Sequence, residues 1–367
     1  MKIAILGTRG IPNRYGGFEQ FAELLSVFLK QKGHKVIIYN SSNHPYKESS
    51  FEGVEIVHCK DPEITLGSFG QFIYDFLCVK DSRKRNADII LQLGYTSSSI
   101  WSFMFPKSSI IITNMDGLEW KRSKYNKLVQ SYLKFAERFA VKKSDFLISD
   151  SIGIQNYITK KFQRSSKYIA YGSEVIDAQN LKLLEQFELE KEAFNLIIAR
   201  IEPENNIETI IQGVLMSNTK TPLVIVGDYK RNSFGRRLYE KYGKESVIRF
   251  LGSIYDKEIL NNLRYFSNMY FHGHSVGGTN PSLLEAMGCY SLIIAHNNEF
   301  NKAILEGDAY YFLNPEELKV LIETVSKPDE KIKVQNNAKK IEKSFNSDEI
   351  NKQYEIFFYE CIKLMKK

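Results

Sequence analysis

Short apolar runs alternate with helical segments along the whole chain, and this alternation limits the fold more than any other feature of the sequence. In the first half the runs begin with KIAIL at residues 2–6, continue through DIILQL at residues 88–93 and end with DFLIS at residues 145–149. Runs that are apolar at nearly every position fit strands buried on both faces of a parallel sheet. The first half therefore predicts an α/β doubly wound domain of the Rossmann type.

The same alternation restarts in the second half of the chain. It begins with NLIIA at residues 195–199 and runs to SLIIA at residues 291–295. We predict two Rossmann-like domains, residues 1–171 and residues 172–345, followed by a helix of residues 346–367 that packs back on the first domain. Because open α/β sheets bind ligands beyond the carboxyl ends of their strands, we expect the two domains to face a central cleft.

Composition narrows the function. With 43% hydrophobic and 25% charged residues, the 367-residue chain fits a globular protein of two domains. The four cysteines have no C-x-x-C spacing and no apolar window is long enough to cross a membrane, so we expect reduced thiols in a cytoplasmic protein. A net charge of +7 favours anionic partners and leaves peripheral contact with the cytoplasmic face of the inner membrane open. Nucleic acid is not expected, because no basic stripe with interleaved aromatic residues is evident.

The loop after the first strand is rich in glycine. It reads GTRGIP instead of the G-x-G-x-x-G of dinucleotide-binding domains, and the second strand ends in Tyr39-Asn40 without an acid for a ribose, which disfavours an NAD enzyme. Gly16 and Gly17 stand directly before a helix, whose free N–H groups suit a phosphate or a sugar hydroxyl. The alternative is a tight turn without a ligand.

The segment HGHSVGGTNPSLLEAMGC, residues 272–289, is the most informative part of the sequence. It combines a glycine-rich turn with Asn280 as a helix N-cap and Pro281 at the first helical position. The N–H groups and the positive dipole end of such a helix suit a diphosphate, and a Glu one turn deeper suits ribose hydroxyls. We predict a ligand-binding set of Gly278, Thr279, Asn280, Ser282, Leu283 and Glu285. The alternative is an ordinary capped helix with a solvent-facing Glu.

Two further pairs of side chains lie near predicted sheet ends. Asp116 and Trp120, in the segment TNMDGLEWKRSKY, suit the orientation of a hydroxyl group and stacking on a sugar ring. The alternative is an Asp in a turn beside a packed Trp. His272 and His274 flank the glycine-rich turn, either as ligand contacts or as partners of buried backbone groups.

These motifs resemble those of a known enzyme family. GGTNPSLLEAM is similar to the carboxyl half of the E-x7-E signature of retaining glycosyltransferases of family 4, which have the GT-B fold and bind the donor ribose with the second Glu, here Glu285. ARIEPENNIETII resembles the G-R-L-x-x-x-K stretch of that family, in which Arg and Lys neutralise the donor diphosphate. This chain keeps Arg200 but has Asn205 or Asn206 where the Lys would stand, and Gly277 replaces the first Glu.

The resemblance extends over nearly the full chain to a subgroup that includes bacterial rhamnosyltransferases of capsule and O-antigen assembly. It rests on YGGFE (15–19), DGLEWKR (116–122), RIEPENNIE (200–208) and HSVGGTNPSLLEAM (274–287). The resemblance implies a retaining hexosyltransferase that moves L-rhamnose from dTDP-L-rhamnose to a lipid-linked saccharide. It also implies that the first domain binds the acceptor and the second binds the nucleotide sugar. UDP- or GDP-hexose is the alternative donor.

Catalysis of this kind has to neutralise the charge that develops on the departing diphosphate. We predict Arg200 and Asp116 as catalytic residues, with Arg9, Trp120 and His274 as further contacts to the sugar or the acceptor. No D-x-D motif occurs in the chain, so the sequence predicts transfer without a metal or another cofactor.

Two rival functions remain at the level of the sequence. They are a sugar-nucleotide epimerase, which would be expected to carry more acid–base side chains at the cleft, and an anion-binding protein without catalysis. For the transferase we expect Glu285→Ala and Arg200→Ala each to abolish turnover while the fold is preserved.

Overall fold

The computed structural model describes residues 1–122, 125–176 and 179–366. Ser123 and Lys124 of the segment TNMDGLEWKRSKY, and Lys367 of the predicted C-terminal helix, lie outside these ranges. The chain divides into two compact units. The first comprises Met1–Lys121, Tyr125–Gly172 and Ser347–Lys367, and the second comprises Arg122–Lys124 and Ser173–Asn346.

The first unit is built on a sheet of eight strands. They are β1 (Lys2–Leu6), β2 (Lys35–Ser41), β3 (Ser50–Phe51), β4 (Val54–Cys59), β5 (Ile89–Leu93), β6 (Ile110–Asn114), β7 (Phe146–Ser149) and β8 (Lys167–Tyr168). Their order is β3-β4-β2-β1-β5-β6-β7-β8, and the described pairs are parallel apart from β3 with β4. Helices cover the sheet: α1 (Gly17–Gln31), α2 (Glu63–Leu66), α3 (Ser68–Ser82), α4 (Lys127–Lys143) and α5 (Ile152–Phe162), with short 3-10 helices at Ser99–Met104 and Glu119–Lys121.

The central strands of this sheet form because both of their faces are buried. Ile3 and Ile5 of β1 are inaccessible to solvent and pair in register with Ile89 and Leu91 of β5. The chain leaves β1 toward β2 on one side and later reaches β5 on the other. The strand order therefore reverses between β1 and β5, which is where doubly wound sheets bind ligands.

The second unit repeats this plan with a parallel sheet of six strands in the order β11-β10-β9-β12-β13-β14. They are β9 (Asn195–Ile198), β10 (Leu223–Val226), β11 (Ile248–Gly252), β12 (Tyr270–His272), β13 (Ile293–His296) and β14 (Tyr310–Phe312). Its helices are α6 (Ile207–Met216), α7 (Ser233–Tyr242), α8 (Lys257–Phe266), α9 (Pro281–Gly288), α10 (Glu299–Leu305), α11 (Pro315–Thr324) and α12 (Lys331–Ser344), with 3-10 helices at Leu181–Phe187, Pro203–Asn205 and Lys327–Asp329.

The last helix, α13 (Ser347–Met365), belongs to the first unit and packs on α1. Its apolar stripe is buried around Tyr354, whose ring lies 4.9 Å from that of Phe21 and whose hydroxyl accepts a hydrogen bond from the side-chain amide of Asn114 at 2.9 Å. At its solvent side, Glu355 pairs with His34 at 2.7 Å. Among the helices of the described residues, none is both long and apolar enough to span a bilayer.

Candidate functional site

The candidate site of the second unit lies at the carboxyl ends of β9 and β12. These strands are neighbours, and the chain runs from β9 to β10 on one side and reaches β12 on the other. The reversal of strand order at this point creates the crevice in which doubly wound sheets bind ligands. Two loops leave the sheet here, residues 199–206 after β9 and residues 273–280 after β12.

Hydrogen bonds hold these two loops together. The side-chain amide of Asn206 donates to the carbonyl of Gly273 at 2.8 Å, and the N–H and hydroxyl of Ser275 donate to the carbonyl of Glu204 at 3.0 and 2.9 Å. A Cβ atom on Gly273 would lie 2.0 Å from the carbonyl oxygen of Asn205, so only glycine permits this approach. This contact explains why a glycine stands between His272 and His274.

Arg200 lies on the first of these loops and its side chain is exposed. Among the described residues it has no ion-pair partner. The side-chain amide of Asn205 donates to the carbonyl oxygen of Arg200 at 2.6 Å, and the amide of Asn206 is used on Gly273. The two asparagines that stand where the resemblance places a Lys therefore shape the loop and supply no positive charge.

The N-terminus of α9 is capped as the sequence predicts, but the cap uses amides that we assigned to a ligand. The side chain of Asn280 accepts from the N–H of Ser282 at 3.0 Å, and its carbonyl accepts from the N–H of Leu283 at 3.0 Å. The Ser282 hydroxyl bonds Tyr270 and donates to the carbonyl of Ile198, while Leu283 is fully buried. The predicted ligand contacts of Ser282 and Leu283 stay predictions, and both residues also fasten α9 to the sheet.

The remaining amides of this loop have a different status. Thr279 is buried and has a partner of its own. In the described part of the chain the backbone N–H groups of Gly278 and Asn280 bond no other group. The loop can therefore offer the N–H groups of Gly278 and Asn280 to an anion.

Glu285 on the second turn of α9 forms an ion pair with Arg264 of α8. The Arg264 side chain is only 3% exposed and that of Glu285 17%. The sequence did not reveal this partner, because an Arg inside an amphipathic helix has no local signal for burial. Glu285 is therefore the counter-charge of a buried cation as well as a predicted ribose ligand.

His272 and His274 form a stacked pair at the end of β12, with ring centroids 4.4 Å apart and an interplanar angle of 13°. Burial lowers the pKa of His272 to about 3, and burial together with His272, Arg200 and Arg122 holds the pKa of His274 well below its ordinary value. Both rings are therefore neutral at pH 7. Within the described residues neither nitrogen of His272 nor Nδ1 of His274 has a hydrogen-bond partner, so these rings do not satisfy buried backbone groups.

A second ion pair in this unit was also missed. Arg122 lies 3.1 Å from Glu204, whose carboxylate is nearly inaccessible to solvent. The pair joins the end of the DGLEWKR motif to the RIEPENNIE motif. Both motifs carried the family resemblance, but the sequence alone did not connect them.

The glycine-rich loop of the first unit is stabilised by carboxylates. The N–H groups of Arg9 and Asn13 donate to Glu19 and Glu23 of α1 at 2.9 and 2.6 Å. The N–H of Gly16 donates to the side chain of Asn13 at 3.2 Å. The predicted donor-binding role of Gly16 and Gly17 stays a prediction, and carboxylates at this helix N-terminus already accept hydrogen bonds from the loop.

Arg9 is likewise engaged in the first unit. Its guanidinium donates to Glu63 at 2.8 Å, lies 3.5 Å from Asp61 and stacks over Tyr15. The prediction that Arg9 contacts the sugar or the acceptor stays a prediction, and its guanidinium already has two carboxylates beside it.

Asp116 follows β6 in a strained conformation. Its φ of 47° lies in the left-handed region that non-glycine residues seldom adopt. Its N–H donates to the side chain of Asn114 at 3.0 Å, and the hydroxyl of Tyr171 donates to its carboxylate at 3.4 Å. Burial raises the pKa of Tyr171 well above its ordinary value, so this hydroxyl stays a donor.

Trp120 already contacts charged side chains. Its indole N–H donates to Glu137 at 3.2 Å, and the ammonium groups of Lys134 and Lys161 lie 4.7 and 5.5 Å from its ring centroid. The predicted stacking of Trp120 on a sugar ring stays a prediction, in which the sugar would compete with these ammonium groups for the ring.

No group of three or more His, Cys, Asp or Glu side chains within residues 1–122, 125–176 and 179–366 is arranged to hold a metal ion. The prediction of transfer without a metal rests on the sequence and stays a prediction.

Comparison with known families assigns the second unit. Residues 182–343 match the family model "Glycosyl transferases group 1", and residues 1–174 match a domain of unknown function, DUF1972. The range that matches the glycosyltransferase model lies within the second unit. It includes Arg200, the histidine pair and α9.

One curated relative is similar to part of the chain. It is the O-antigen chain mannosyltransferase B of Escherichia coli, which is 28% identical over 165 residues. The alignment covers 42% of this chain and 42% of that protein, so the chain spans less than half the length of the relative it matches.

Solved structures resemble the whole chain in fold. Sucrose-phosphate synthase from Thermosynechococcus elongatus has a TM-score of 0.82 at 14% identity and covers 99% of both chains. HepE from Anabaena in complex with UDP-glucose has a TM-score of 0.76 at 15% identity and covers 98% of this chain and 99% of that one. At such identities the likeness concerns the fold alone, and it confirms the predicted two-domain α/β fold of the GT-B class.

Proposed function

We propose that this protein is a glycosyltransferase that takes a sugar from a nucleoside diphosphate donor and adds it to a surface polysaccharide such as an O-antigen. The observation that carries the proposal is Arg200, exposed and without an ion pair among the described residues, on a loop hydrogen-bonded to the glycine-rich loop before α9. Both loops lie at the switch point of a group 1 glycosyltransferase domain.

The reaction exchanges one bond of the anomeric carbon for another. The bond from this carbon to the diphosphate oxygen breaks, its electron pair stays on the diphosphate, and an acceptor hydroxyl forms the new bond and loses its proton. The diphosphate gains negative charge in this step, so positive groups that face it lower the barrier. Arg200 and the amides of Gly278 and Asn280 serve this purpose.

Acceptor binding falls to the first unit in this proposal. Asp116, held by Asn114 and Tyr171, would accept a hydrogen bond from the acceptor hydroxyl and orient it. A lipid-linked saccharide as acceptor fits the resemblance to the subgroup. It also fits the relative, whose name is O-antigen chain mannosyltransferase B.

The motif resemblance and the curated relative suggest different donor sugars. The sequence motifs favour L-rhamnose carried by dTDP with retention of configuration, whereas the curated relative is a mannosyltransferase. dTDP-L-rhamnose is the first donor to test, and UDP- or GDP-hexose is the alternative.

An exposed apolar face of the first unit supports peripheral contact with an anionic membrane. It consists of large apolar side chains on α2, α3, the 3-10 helix Ser99–Met104 and α4, which pack on one another. Ile64 and Leu128 are each 82% exposed and Phe103 is 68% exposed. Lysines line α4 beside them, so the face offers both an apolar and a cationic component to lipid headgroups.

Nucleotide binding tests the proposed function. Isothermal titration of the full chain with dTDP, UDP, GDP and ADP should reveal one preferred nucleotide, and Arg200→Gln should weaken it about tenfold, or about 1.4 kcal/mol, without a change in melting temperature. Lys220→Gln, an exposed basic residue elsewhere in the same unit, is the matched control and should bind normally. A wild-type protein that binds no nucleotide would overturn the proposal.

A further inference from the structure

The histidine pair has a chemistry that the diphosphate site does not use. His272 is 1% exposed and His274 is half-buried in front of the glycine-rich turn. Buried polar nitrogens in proteins nearly always have a partner, yet neither nitrogen of His272 nor Nδ1 of His274 has one in the described chain. Unpartnered nitrogens of this kind indicate a place for a ligand or for ordered water.

The position of the pair is fixed by its surroundings. The carbonyl oxygen of His274 accepts hydrogen bonds from the side-chain amides of Asn298 and Asn301 at 3.0 and 3.1 Å. Asn298 caps α10, so the backbone of His274 is tied to a helix terminus. The stack with His272 then fixes the plane of the imidazole.

Space is available on the same loop. Gly277 has a φ of 135°, and a Cβ atom built on it would meet no atom within 4 Å. The glycine-rich turn is therefore open at Gly277, three residues after His274 in the sequence.

The neutral state of the rings selects the kind of ligand. Burial keeps the pKa of both imidazoles below 6.5, so each ring offers one donor and one acceptor at pH 7. A phosphate oxygen only accepts and prefers positive charge, whereas a hydroxyl group both donates and accepts. The pair therefore fits hydroxyl groups better than it fits the diphosphate.

We propose that His274 binds a hydroxyl group of the donor sugar and that His272, stacked behind it, positions its ring. This inference rests on the proposed function and specifies the sugar side of the same site. In this proposal the histidine pair binds the sugar, whereas Arg200 and the loop amides bind the diphosphate.

The experiment compares each nucleotide sugar with its own nucleoside diphosphate. The probes are dTDP-L-rhamnose with dTDP, GDP-mannose with GDP and UDP-glucose with UDP, titrated into the full chain. We expect the result for the nucleotide sugar that the wild type binds most tightly and for its own nucleoside diphosphate. His274→Ala should raise the Kd of the nucleotide sugar about tenfold, and it should leave the Kd of the nucleoside diphosphate within about twofold of the wild-type value. Arg200→Gln should weaken both ligands by the same factor.

Variants of His272 test its positioning role. His272→Asn removes the ring and should shift the ratio of the two Kd values in the same direction as His274→Ala. His272→Phe keeps a stacked ring, so its ratio of the two Kd values should equal that of the wild type. A structural role alone would change the melting temperature but not this ratio. His274→Gln keeps a donor and an acceptor and provides a folded variant if His274→Ala is unstable.

The outcomes separate the two proposals. If the wild type binds a nucleotide but His274→Ala and His274→Gln affect neither ligand, or both ligands equally, the histidine proposal is overturned and the transferase proposal stands. If the wild type binds no nucleotide and no nucleotide sugar, both fail together.

Discussion

The carboxylate of Glu285 is both a predicted ribose ligand and the counter-charge of Arg264, so a substitution of Glu285 affects both roles at once. We expected Glu285→Ala to abolish turnover and preserve the fold, but the residue also neutralises Arg264, which is almost inaccessible to solvent. A buried guanidinium without its counter-charge is costly, because desolvation favours the uncharged state that Arg does not adopt. Loss of activity in a Glu285 variant is therefore not by itself proof of ribose binding.

Glu285→Gln should lower the free energy of unfolding by about 3 kcal/mol, because it leaves Arg264 buried and unpaired. Urea unfolding followed by circular dichroism measures this change. Glu299→Gln, an exposed Glu of the neighbouring helix α10, is the matched control and should change stability by less than about 0.5 kcal/mol. A wild-type stability for Glu285→Gln would contradict the structural task assigned to the pair.

The histidine pair also makes a prediction about pH. The native pKa of His272 is about 3, against an ordinary value of 6.5. Between these values the unfolded chain binds more protons than the native chain, so the native state loses stability as the pH falls below 6.5. The electrostatic effects of His296 on His272, and of Arg200 and Arg122 on His274, act in the same direction as burial.

Urea unfolding at pH 7 and pH 5 tests this prediction. The free energy of unfolding of the wild type should fall by about 2 kcal/mol more than that of His272→Asn, which cannot take up a proton at this position. Other titrating groups cancel in this difference. If the free energy of unfolding of both proteins depended on pH in the same way, His272 would take up a proton in the native state as readily as in the unfolded state, and the prediction would be wrong.

Residues with local signals could be predicted, and residues with distant partners could not. Asn280 and Pro281 were recognised because capping chemistry depends on neighbouring positions. The partners of Glu285 and Glu204 lie 21 and 82 positions away in the sequence. Nothing in the spacing of these charges indicates which carboxylate meets which guanidinium.

At the scale of elements, buried strands were predicted more closely than edge strands. The runs KIAIL and DIILQL correspond to β1 and β5 within one residue, because strands buried on both faces are apolar at nearly every position. The last strand of this sheet, β8, comprises only Lys167–Tyr168, since it lies at the sheet edge and pairs with β7 alone in the described sheet. β3 is two residues long and leaves no pattern to detect.

Helix α9 allows capping and ligand binding to be separated. Asn280→Ala removes the cap of α9 and Asn314→Ala removes the equivalent cap of α11, where the side chain accepts from Glu317. Each should lower the free energy of unfolding by about 1 kcal/mol. Only Asn280→Ala should also weaken nucleotide binding in a titration, because only its loop carries the free amides. Equal binding by both variants would contradict the placement of the diphosphate.

At the scale of the whole molecule, the two units follow the same plan. The first unit carries the apolar face on α2, α3, the 3-10 helix Ser99–Met104 and α4. The sequence did not reveal this face, because exposure of an apolar side chain depends on which helix covers it.

Flotation with vesicles of phosphatidylcholine and phosphatidylglycerol tests the contact with membrane. The wild type should float with mixed vesicles and far less with pure phosphatidylcholine. Leu128→Glu and Phe103→Glu should each reduce the bound fraction severalfold, because they place negative charge in the apolar face. Ile332→Glu, at a residue 75% exposed on α12 of the second unit, is the control and should float normally. Equal binding by all variants would exclude this face.

The return of α13 to the first unit affects the order in which the protein can be completed during synthesis. A ribosome finishes nearly the entire second unit, residues 173–346, before the chain that becomes α13 emerges. Until α13 has been made, Phe21 and Asn114 lack the Tyr354 ring and hydroxyl that cover them. The part of the protein that is made first is thus the last to mature, and a product shortened by a late stop codon would be defective mainly in the unit farthest from the mutation along the gene.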